Sequence, residues 1–568
     1  MTHKNRWLLQ TPLTPEADAA LAAHPPLLRQ ILFNRGIATA AEADAFLRAE
    51  PNFSTDPFQM KGMRVAVDRI QAALANREPI AVYGDYDVDG VTATALLVQA
   101  LRALGGQRVR EYIPNRFEEG YGLNNEALTA LANDGVKLVI TVDCGVRSPD
   151  EARHARDLGL DLVISDHHEP SGSLPEALAV LNPKQDGDLY PEKYLAGVGI
   201  AYKIAEALVD SLTPAASLNL SSYLDLVALG TVADLAPLTG ENRVLVRKGL
   251  AQMRETTRQG LFSLANVAGQ DLKKANAQTI GFTLGPRLNA SGRLDSALAS
   301  FRLLTTTDIK EAGDLALKLN QQNLERQKLT REIQVTAEAL ALDGQKDSLL
   351  LFAVHPEFNH GVVGLAASRL SETYYRPAIV GNFGEETTRC SCRSIPEFHI
   401  THALDECADL LVRHGGHAAA AGFTVRNENL DALVARLRAI ATRELGGRDL
   451  RPSLSADAEV PLARLTFEML KQLEQLQPTG YGNPEPVFIS RKVKVQSSRA
   501  VGAEGKHLKL SLTDGRVTVD AIGFRLGDLL PNLPPLVDVL YTFEVNEYNG
   551  RASLQLNLKD IKPAGVPD

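Results

Sequence analysis

A chain of 568 residues is too long for one hydrophobic core, which rarely exceeds about 250–300 residues, so about three domains are expected. Apolar residues make up 44%, no run reaches the roughly 18 uninterrupted apolar residues of a membrane helix, and MTHKNRWLLQTPLTPE lacks the apolar core of a secretory signal; a cytoplasmic location without a membrane span is the expectation. A net charge of −9 with pI near 5.8 excludes a globally basic nucleic-acid binder, so any basic patch has to be local.

Residues 1–60 read as a polar, helical N-terminal segment. From Ile80 the pattern changes to short apolar runs alternating with helical stretches: Ile80–Tyr83, Val91–Leu104, Leu138–Val142, Ser148–Leu158, Leu160–Ile164. Strand, helix, strand, helix implies βαβ units and a parallel sheet, assigned to a domain over 61–306. A proline-free stretch from about Asp308 to Leu342 predicts one helix about 50 Å long, assigned to 307–343. Leu315, Leu319, Arg326, Thr330, Ile333, Ala337 and Leu340 fall near one face of it. A second α/β domain over 344–450 follows, with Ser348–Val354 as strand, Gly361–Tyr374 as helix and Ala378–Val380 as strand. His417, after Gly415 and Gly416, is expected at a helix start, a geometry that favours anions. From Pro486 the period becomes two, and Asn549-Gly550 is a hairpin signal. Strands near 487–499, 506–513, 516–524, 536–547 and 550–561 suit a small OB-like barrel within 451–568.

The four cysteines are too few for a disulfide framework in a chain this long. Cys390-x-Cys392, with His399 nearby, has metal-ligand spacing, but a structural zinc site needs four ligands and no matching pair appears; two small residues in a packed loop is the preferred reading.

The chemistry concentrates where strands end. Ile80–Gly84 runs into Asp85-Tyr-Asp87-Val-Asp89-Gly90, Leu138–Val142 into Asp143-Cys-Gly145, and Leu160–Ser165 into Asp166-His167-His168. A further apolar run, Tyr223–Val232, leads to Asp234. In an open parallel sheet the ligand crevice lies beyond the carboxyl ends of the strands, so these side chains should converge. An aspartate after a strand is often only a helix cap. Three alternating aspartates in one extended loop would face one way and repel unless cations bind. Carboxylates mixed with imidazole suit Mn²⁺ or Mg²⁺, and two such ions roughly 3.5–4 Å apart can activate a water and stabilise the leaving oxygen of a phosphate ester. Neither a P-loop nor a GxSxG motif competes for the role.

DYDVDG, VDCG, DHH and GTVAD, in this order, resemble the motifs of the DHH phosphoesterase family, and GGHAAAAGF at 415–423 resembles the signature of its associated DHHA1 domain. YIPNRFEEGYGL at 112–123, PRLNASGR at 286–293 and CRSIPEFH at 392–399 resemble the RecJ exonucleases of that family in particular. The resemblance implies a parallel-sheet DHH domain joined by a long helix to an α/β DHHA1 domain, plus the OB-like barrel. It implies a single-stranded-DNA-specific 5′-to-3′ exonuclease of DNA recombination and repair, releasing 5′-mononucleotides with two Mn²⁺ or Mg²⁺ ions. Asp87, Asp89, Asp143, His167 and Asp234 match family metal ligands, with Asp143 as the bridge and Asp85 in or beside the set. His168 matches the phosphate-facing histidine, and Asp166 is read as orienting a histidine. Arg116, Ser391 and Arg393 match positions that hold the terminal 5′ phosphate; Arg287, Asn289, Arg293 and His417 are further substrate-binding candidates. Cys390, Cys392 and Glu397 depart from the small residues or glycine expected there, which touches the shape of the 5′-phosphate pocket rather than the metal centre. In the barrel, Arg491, Lys492, Lys494 and Lys509 could neutralise phosphates and Tyr548 could stack a base. A single-strand-binding protein and a RecQ-type helicase are implied partners, and a monomer is assumed. Two other readings compete: a small-phosphate or short-oligonucleotide phosphodiesterase, whose members are usually shorter and lack the barrel, and a non-catalytic single-strand-binding protein, which would have lost metal ligands.

Overall fold

The computed structural model describes residues 5–51, 53–116, 118–170, 172–211, 218–343, 348–548 and 551–566. The described chain opens with a strand where a helical pattern was expected. Arg6–Leu9 (β1) pairs in parallel with Ser453–Ala456, because Trp7 finds a buried site there and donates from Nε1 to Asp560 Oδ2 at 2.8 Å. Helices Pro15–Ala20, Pro26–Asn34 and Ala40–Arg48 follow as the pattern predicts.

The first sheet is built from Ile80–Tyr83 (β2), Val109–Tyr112 (β3), Leu138–Thr141 (β4), Asp161–Ser165 (β5) and Ala179–Leu181 (β6), in the order β3-β2-β4-β5-β6, all parallel. Its central strands are near-continuous apolar runs, as a sheet covered on both faces requires. Helices Asn125–Asn133 and Pro149–Asp157 cover one face, where Leu128, Leu131 and Ala155 pack on Val139 and Leu162. The run Tyr223–Val232 leads to Asp234 as helix Leu224–Ala233, buried on every side, which is why it shows no helical period.

Strands Leu351–His355 (β7), Ala378–Phe383 (β8), Thr387–Arg393 (β9), Leu411–Gly416 (β10) and Ala420–Arg426 (β11) form a second sheet in the order β10-β11-β9-β8-β7, mixed rather than all parallel. This corrects two expectations. Cys390 and Cys392 are not in a loop but on β9, alternate residues buried in the same core. His417 is not at a helix start but in the exposed turn between β10 and β11, its N–H donating to the Ala420 carbonyl at 2.8 Å; the alanine run passes from this turn into strand at Ala420, because β9 and β10 pair with β11 on both sides. The helix Ile309–Leu342 buries Ala312, Ala316, Leu319, Asn323, Ile333, Ala337 and Ala341, while Leu340 faces solvent.

Ser453–Ala456 (β12) and Ala458–Glu459 (β13) lead into Phe488–Val501 (β14), His507–Thr513 (β15), Thr518–Gly523 (β16), Leu536–Tyr548 (β17) and Arg551–Pro563 (β18). The order β14-β15-β16-β18-β17 closes on itself through β14–β17, giving a five-stranded barrel. Asn549 and Gly550 lie outside the described residues. The N-terminal helices share a core with this barrel: Leu28, Ile31 and Leu32 belong to one cluster with Phe488, Leu510 and Tyr541. The chain divides into two compact units, one of Met1–Asn289, Ala297–Ala316 and Ser453–Asp568, the other of Ala290–Ser296 and Leu317–Pro452. Among the described residues no helix is long and apolar enough to cross a membrane.

Candidate metal centre

The ladder of the first sheet continues past its strand ends. The N–H groups of Val142, Asp143 and Asp166 donate to the carbonyls of Tyr83, Ser165 and Leu181 at 2.9–3.0 Å, which carries all three motifs to one edge of the sheet. Asp143 sits there with φ 64°, a left-handed conformation that a non-glycine residue holds only when its surroundings impose it.

The three aspartates of DYDVDG do not share one extended face. Asp87 caps the helix Val88–Ala103, its Oδ1 accepting from the N–H groups of Asp89 and Gly90 at 2.9 and 3.1 Å, so Asp89 already lies in the first turn. Capping is strong enough to end the extended segment at Asp87, and it splits the trio between two ligand sets. Asp85 and Asp87 gather with Asp143, whereas Asp89 gathers with His167 and Asp234; within each set the ligand atoms lie within 4.8 Å of one another. Asp143 Oδ1 is 3.0 Å from His167 Nε2, which joins the sets. Asp89 is held from behind by the N–H groups of Gly197 and Val198, at 2.6 and 2.8 Å, at the start of helix Gly197–Ser211.

Asp166 stands outside these sets. Its Oδ2 accepts from Val146 N–H at 2.8 Å, and its Oδ1 faces His168 Nδ1 at 2.7 Å. Burial works to raise the Asp166 carboxyl, but the bond and charge of His168, together with the N–H groups of Val146 and His168, outweigh it and hold the acid below its ordinary range. Burial likewise works to lower His168, and Asp166 outweighs it, so the imidazole is raised. The Tyr121 hydroxyl lies 3.4 Å from His168 Nδ1.

The set has the chemistry of a divalent cation site. Asp85 Oδ1, Asp143 Oδ1 and His167 Nε2 are buried with no hydrogen-bond partner among the described residues. Burial and neighbouring carboxylates push Asp89 up to about 7 and Asp234 up to about 9, and hold Asp85 and Asp143 well above the ordinary carboxylate range. Burial lowers His167 to about 3, which leaves a neutral imidazole ready to ligate. Glycines that the motif reading passed over make room for the cluster: a Cβ on Gly197 would come within 2.6 Å of Asp143 Cβ. No local sequence signal marks Gly197, because its requirement arises from the approach of a distant element.

Of the substrate-binding candidates, Arg116 lies over the Tyr86 ring, 4.9 Å from its centroid, close enough to lower Asp85 by its charge. Asn289 Oδ1 accepts from Val88 N–H at 3.2 Å, beside the DYDVDG loop, and Arg287 donates to the Thr283 carbonyl at 2.8 Å. In the other unit, Arg293 donates to the Gly361 carbonyl at 3.3 Å. Ser391 and Arg393 on β9 face the first turn of helix Val363–Tyr374, where a Cβ on Gly364 would lie 3.5 Å from Ser391 Oγ and 3.2 Å from Arg393 Nη2. His417 lies in the exposed turn before Ala420, the cross-strand neighbour of Arg393. In the barrel, Arg491 pairs with Asp538 and Glu459, and Lys509 with Asp520, so that face is less basic than its sequence. Lys492 and Lys494 are exposed, and the Tyr548 side chain lies outside the described residues.

The comparisons agree along the whole chain. Residues 79–231 match the DHH family N-terminal domain, 346–443 the DHHA1 domain and 456–560 the RecJ OB domain. The chain is 39% identical to the single-stranded-DNA-specific exonuclease RecJ of Bacillus subtilis, covering 99% of this chain and 71% of that protein. It is 36% identical to the exonuclease of the same name from Escherichia coli, covering 95% of this chain and 96% of that one. Crystal structures of Thermus thermophilus RecJ in complex with Mn²⁺ and with Mg²⁺ superpose with TM-scores of 0.86 and 0.79, at 31% and 30% identity, over all of this chain and 81% and 80% of theirs. A divalent metal site in that neighbour and the orphaned donors here coincide in kind. Sequence, architecture and site together show that the chain belongs to the RecJ family.

Proposed function

We propose that the protein is a single-stranded-DNA-specific exonuclease that hydrolyses phosphodiester bonds from the 5′ end and releases 5′-mononucleotides. The observation that carries this reading is the buried carboxylate and imidazole cluster at the carboxyl edge of the first sheet, in a chain of the RecJ family. Two divalent ions, Mn²⁺ or Mg²⁺, supply Lewis-acid polarisation of the phosphate and acidify water. Asp89, His167 and Asp234 would hold one, and Asp85, Asp87 and Asp143 the other; Asp143 Oδ1 lies 3.0 Å from His167 Nε2, where the two sets meet. His168 faces the scissile phosphate; Asp166 keeps its Nδ1 engaged and favours the charged form of the ring, which suits it to stabilise the oxygen that gains charge. Arg116 binds the terminal 5′ phosphate through its planar fork. Ser391 and Arg393, on β9 beside the first turn of helix Val363–Tyr374, have the make-up of a phosphate-binding group, and Arg287, Asn289, Arg293 and His417 remain candidates for contacts to the strand. Lys492, Lys494 and the paired Arg491 and Lys509 bring the barrel to the phosphate backbone. On the family resemblance alone, we add a monomeric state, a cytoplasmic location and two partners, a single-strand-binding protein and a RecQ-type helicase.

The test uses purified protein, Mn²⁺ and end-labelled oligonucleotides with phosphorylated or blocked 5′ ends. Mononucleotides released from the 5′ end, and lost in Asp143→Ala, are expected. Hydrolysis of dinucleotides without cleavage of longer strands would replace this reading with the small-phosphate one, and inertness on both with the binding protein.

A further inference from the structure

Arg116 approaches the metal centre without a fixture of its own. Its guanidinium lies over the Tyr86 ring, and among the described residues no hydrogen bond holds it. Its place is therefore set by the backbone of the segment 113–124, which links β3 to helix Asn125–Asn133. Tyr121 belongs to the same segment. Its hydroxyl lies 3.4 Å from His168 Nδ1, and its ring meets those of Tyr86 and His168 edge-on, at centroid distances of 6.3 and 6.0 Å. Apolar packing fastens the ends of the segment, where Ile113 and Leu123 are buried. Between them Gly120 and Gly122 hold φ 88° and 82°, and a Cβ on either would have no neighbour within 4 Å. A backbone so loosely surrounded needs polar contacts to keep one conformation.

Glu119 supplies those contacts. Its Oε2 accepts from the N–H of Asn115, the residue before Arg116, at 2.5 Å. Its Oε1 accepts from the Tyr112 hydroxyl at the end of β3 and from Asn124 Nδ2 at 3.4 Å. Its own N–H donates to the Asn115 carbonyl at 2.8 Å. One carboxylate thus clasps the strand end, the residue beside Arg116 and the cap of the following helix, where Asn124 Oδ1 accepts from Ala127 N–H at 2.7 Å. The clasp is anchored to the metal centre through Tyr83, which ends β2 two residues before Asp85. Tyr83 stacks on Tyr112 with centroids 4.8 Å apart, donates from its hydroxyl to the Gly122 carbonyl at 3.0 Å and accepts from Asn124 Nδ2 at 3.1 Å. Glu118, the adjacent acid, is exposed and takes no part in this network. Carboxylates in loops often do no more than satisfy nearby N–H groups. Here the satisfied N–H adjoins the one arginine that the segment carries to the site, and charge-assisted bonds are the strong ones available to fix it.

Resting on the nuclease reading above, we propose that Glu119 is a positioning residue, whose carboxylate fixes the segment bearing Arg116 and thereby sets the preference for a 5′-phosphorylated end. The experiment measures kcat/KM in Mn²⁺ on one oligonucleotide carrying either a 5′ phosphate or a 5′ hydroxyl, for wild type, Glu119→Ala, Glu119→Gln, Glu118→Ala, Arg116→Ala and the double variant Glu119→Ala/Arg116→Ala. The ratio of phosphate to hydroxyl substrate should fall about tenfold in Glu119→Ala, through KM rather than kcat, because a misplaced binding group costs that much or more. Glu119→Gln should recover most of the ratio, since its Oε1 can accept from Asn115 while its Nε2 donates to the Tyr112 hydroxyl. Glu118→Ala should leave the ratio as in wild type. The double variant should lose no more than Arg116→Ala alone, as expected of groups acting through one another. If Glu119→Ala does not fold, Tyr112→Phe, which removes one donor to the carboxylate and keeps the ring, should lower the ratio about threefold. Equal losses on both substrates, or losses that multiply in the double variant, would overturn the proposal while leaving the nuclease reading intact. A wild-type protein that cleaves both ends equally would do the same, and one inert on DNA would remove the reading and the proposal together.

Discussion

Asp143 is only 2% exposed, its Oδ1 has no hydrogen-bond partner among the described residues, and four other carboxylates, Asp85, Asp87, Asp89 and Asp234, surround it. Such a charge opposes folding by several kcal/mol unless a cation is bound. Asp143→Asn, a residue that tolerates positive φ, should therefore raise the Tm of the metal-free protein, by roughly 1–3 kcal/mol in stability, while abolishing the rise that Mn²⁺ produces. Thermal melts with and without Mn²⁺ read both effects. The same carboxylates give a pH dependence whose sign follows from their shifts. Asp89 and Asp234 are raised to about 7 and about 9 from an ordinary value of 3.8. Their neutral forms are compatible with burial, so the stability they contribute is fully present below the ordinary value and is lost as pH rises through the raised ones. Chelator-treated protein should lose Tm progressively as pH rises from about 4 to about 9. Added Mn²⁺ should reverse that loss and bind more tightly as pH rises, because its ligands must be deprotonated.

Helices place this chemistry as much as strands do. The first N–H groups of helix Gly197–Ser211 hold Asp89, and its Gly197 lets that helix approach Asp143. Gly197→Ala should cost about 1–3 kcal/mol by overpacking and weaken Mn²⁺ binding measured by calorimetry. Gly313, in the long helix, has no neighbouring atom within 4 Å of a new Cβ, so Gly313→Ala should instead stabilise by about 0.5–1 kcal/mol with activity unchanged. Elements with a clear local period were legible in the sequence. The five barrel strands alternate, as in Leu508, Leu510 and Leu512, and lie where the alternation predicts. The hairpin of β10 and β11 was not legible, because an alanine run favours helix locally and becomes a strand only by pairing on both sides. Helix Leu224–Ala233 had no readable period because every face of it is buried.

Arg243 ties distant parts of one unit together. Almost fully buried, it donates from Nε to the Phe46 carbonyl, from Nη1 to the Leu476 and Pro478 carbonyls and from Nη2 to the Gln475 carbonyl, at 2.8–3.2 Å. It thereby joins the N-terminal helices and the segment leading to the barrel to the helix that follows Asp234. Arg243→Ala should lose about 3 kcal/mol or more, since each buried carbonyl left unpaired costs on the order of 1 kcal/mol. Urea denaturation measures that loss, and a change below about 1 kcal/mol would show that water replaces the guanidinium.

Convergence of the metal ligands was written in the order of the motifs, because a parallel sheet delivers every strand end to the same edge. DYDVDG, VDCG and DHH each follow a strand, so their meeting needed only the sheet and no knowledge of side-chain packing. The grouping of the ligands, the place of Gly197 and the shared core of the N-terminal helices and the barrel were beyond reach of the linear chain. Each depends on contacts between residues far apart in sequence, where no local period or spacing carries the information, and where helix capping at Asp87 or pairing at β11 overrides the local pattern.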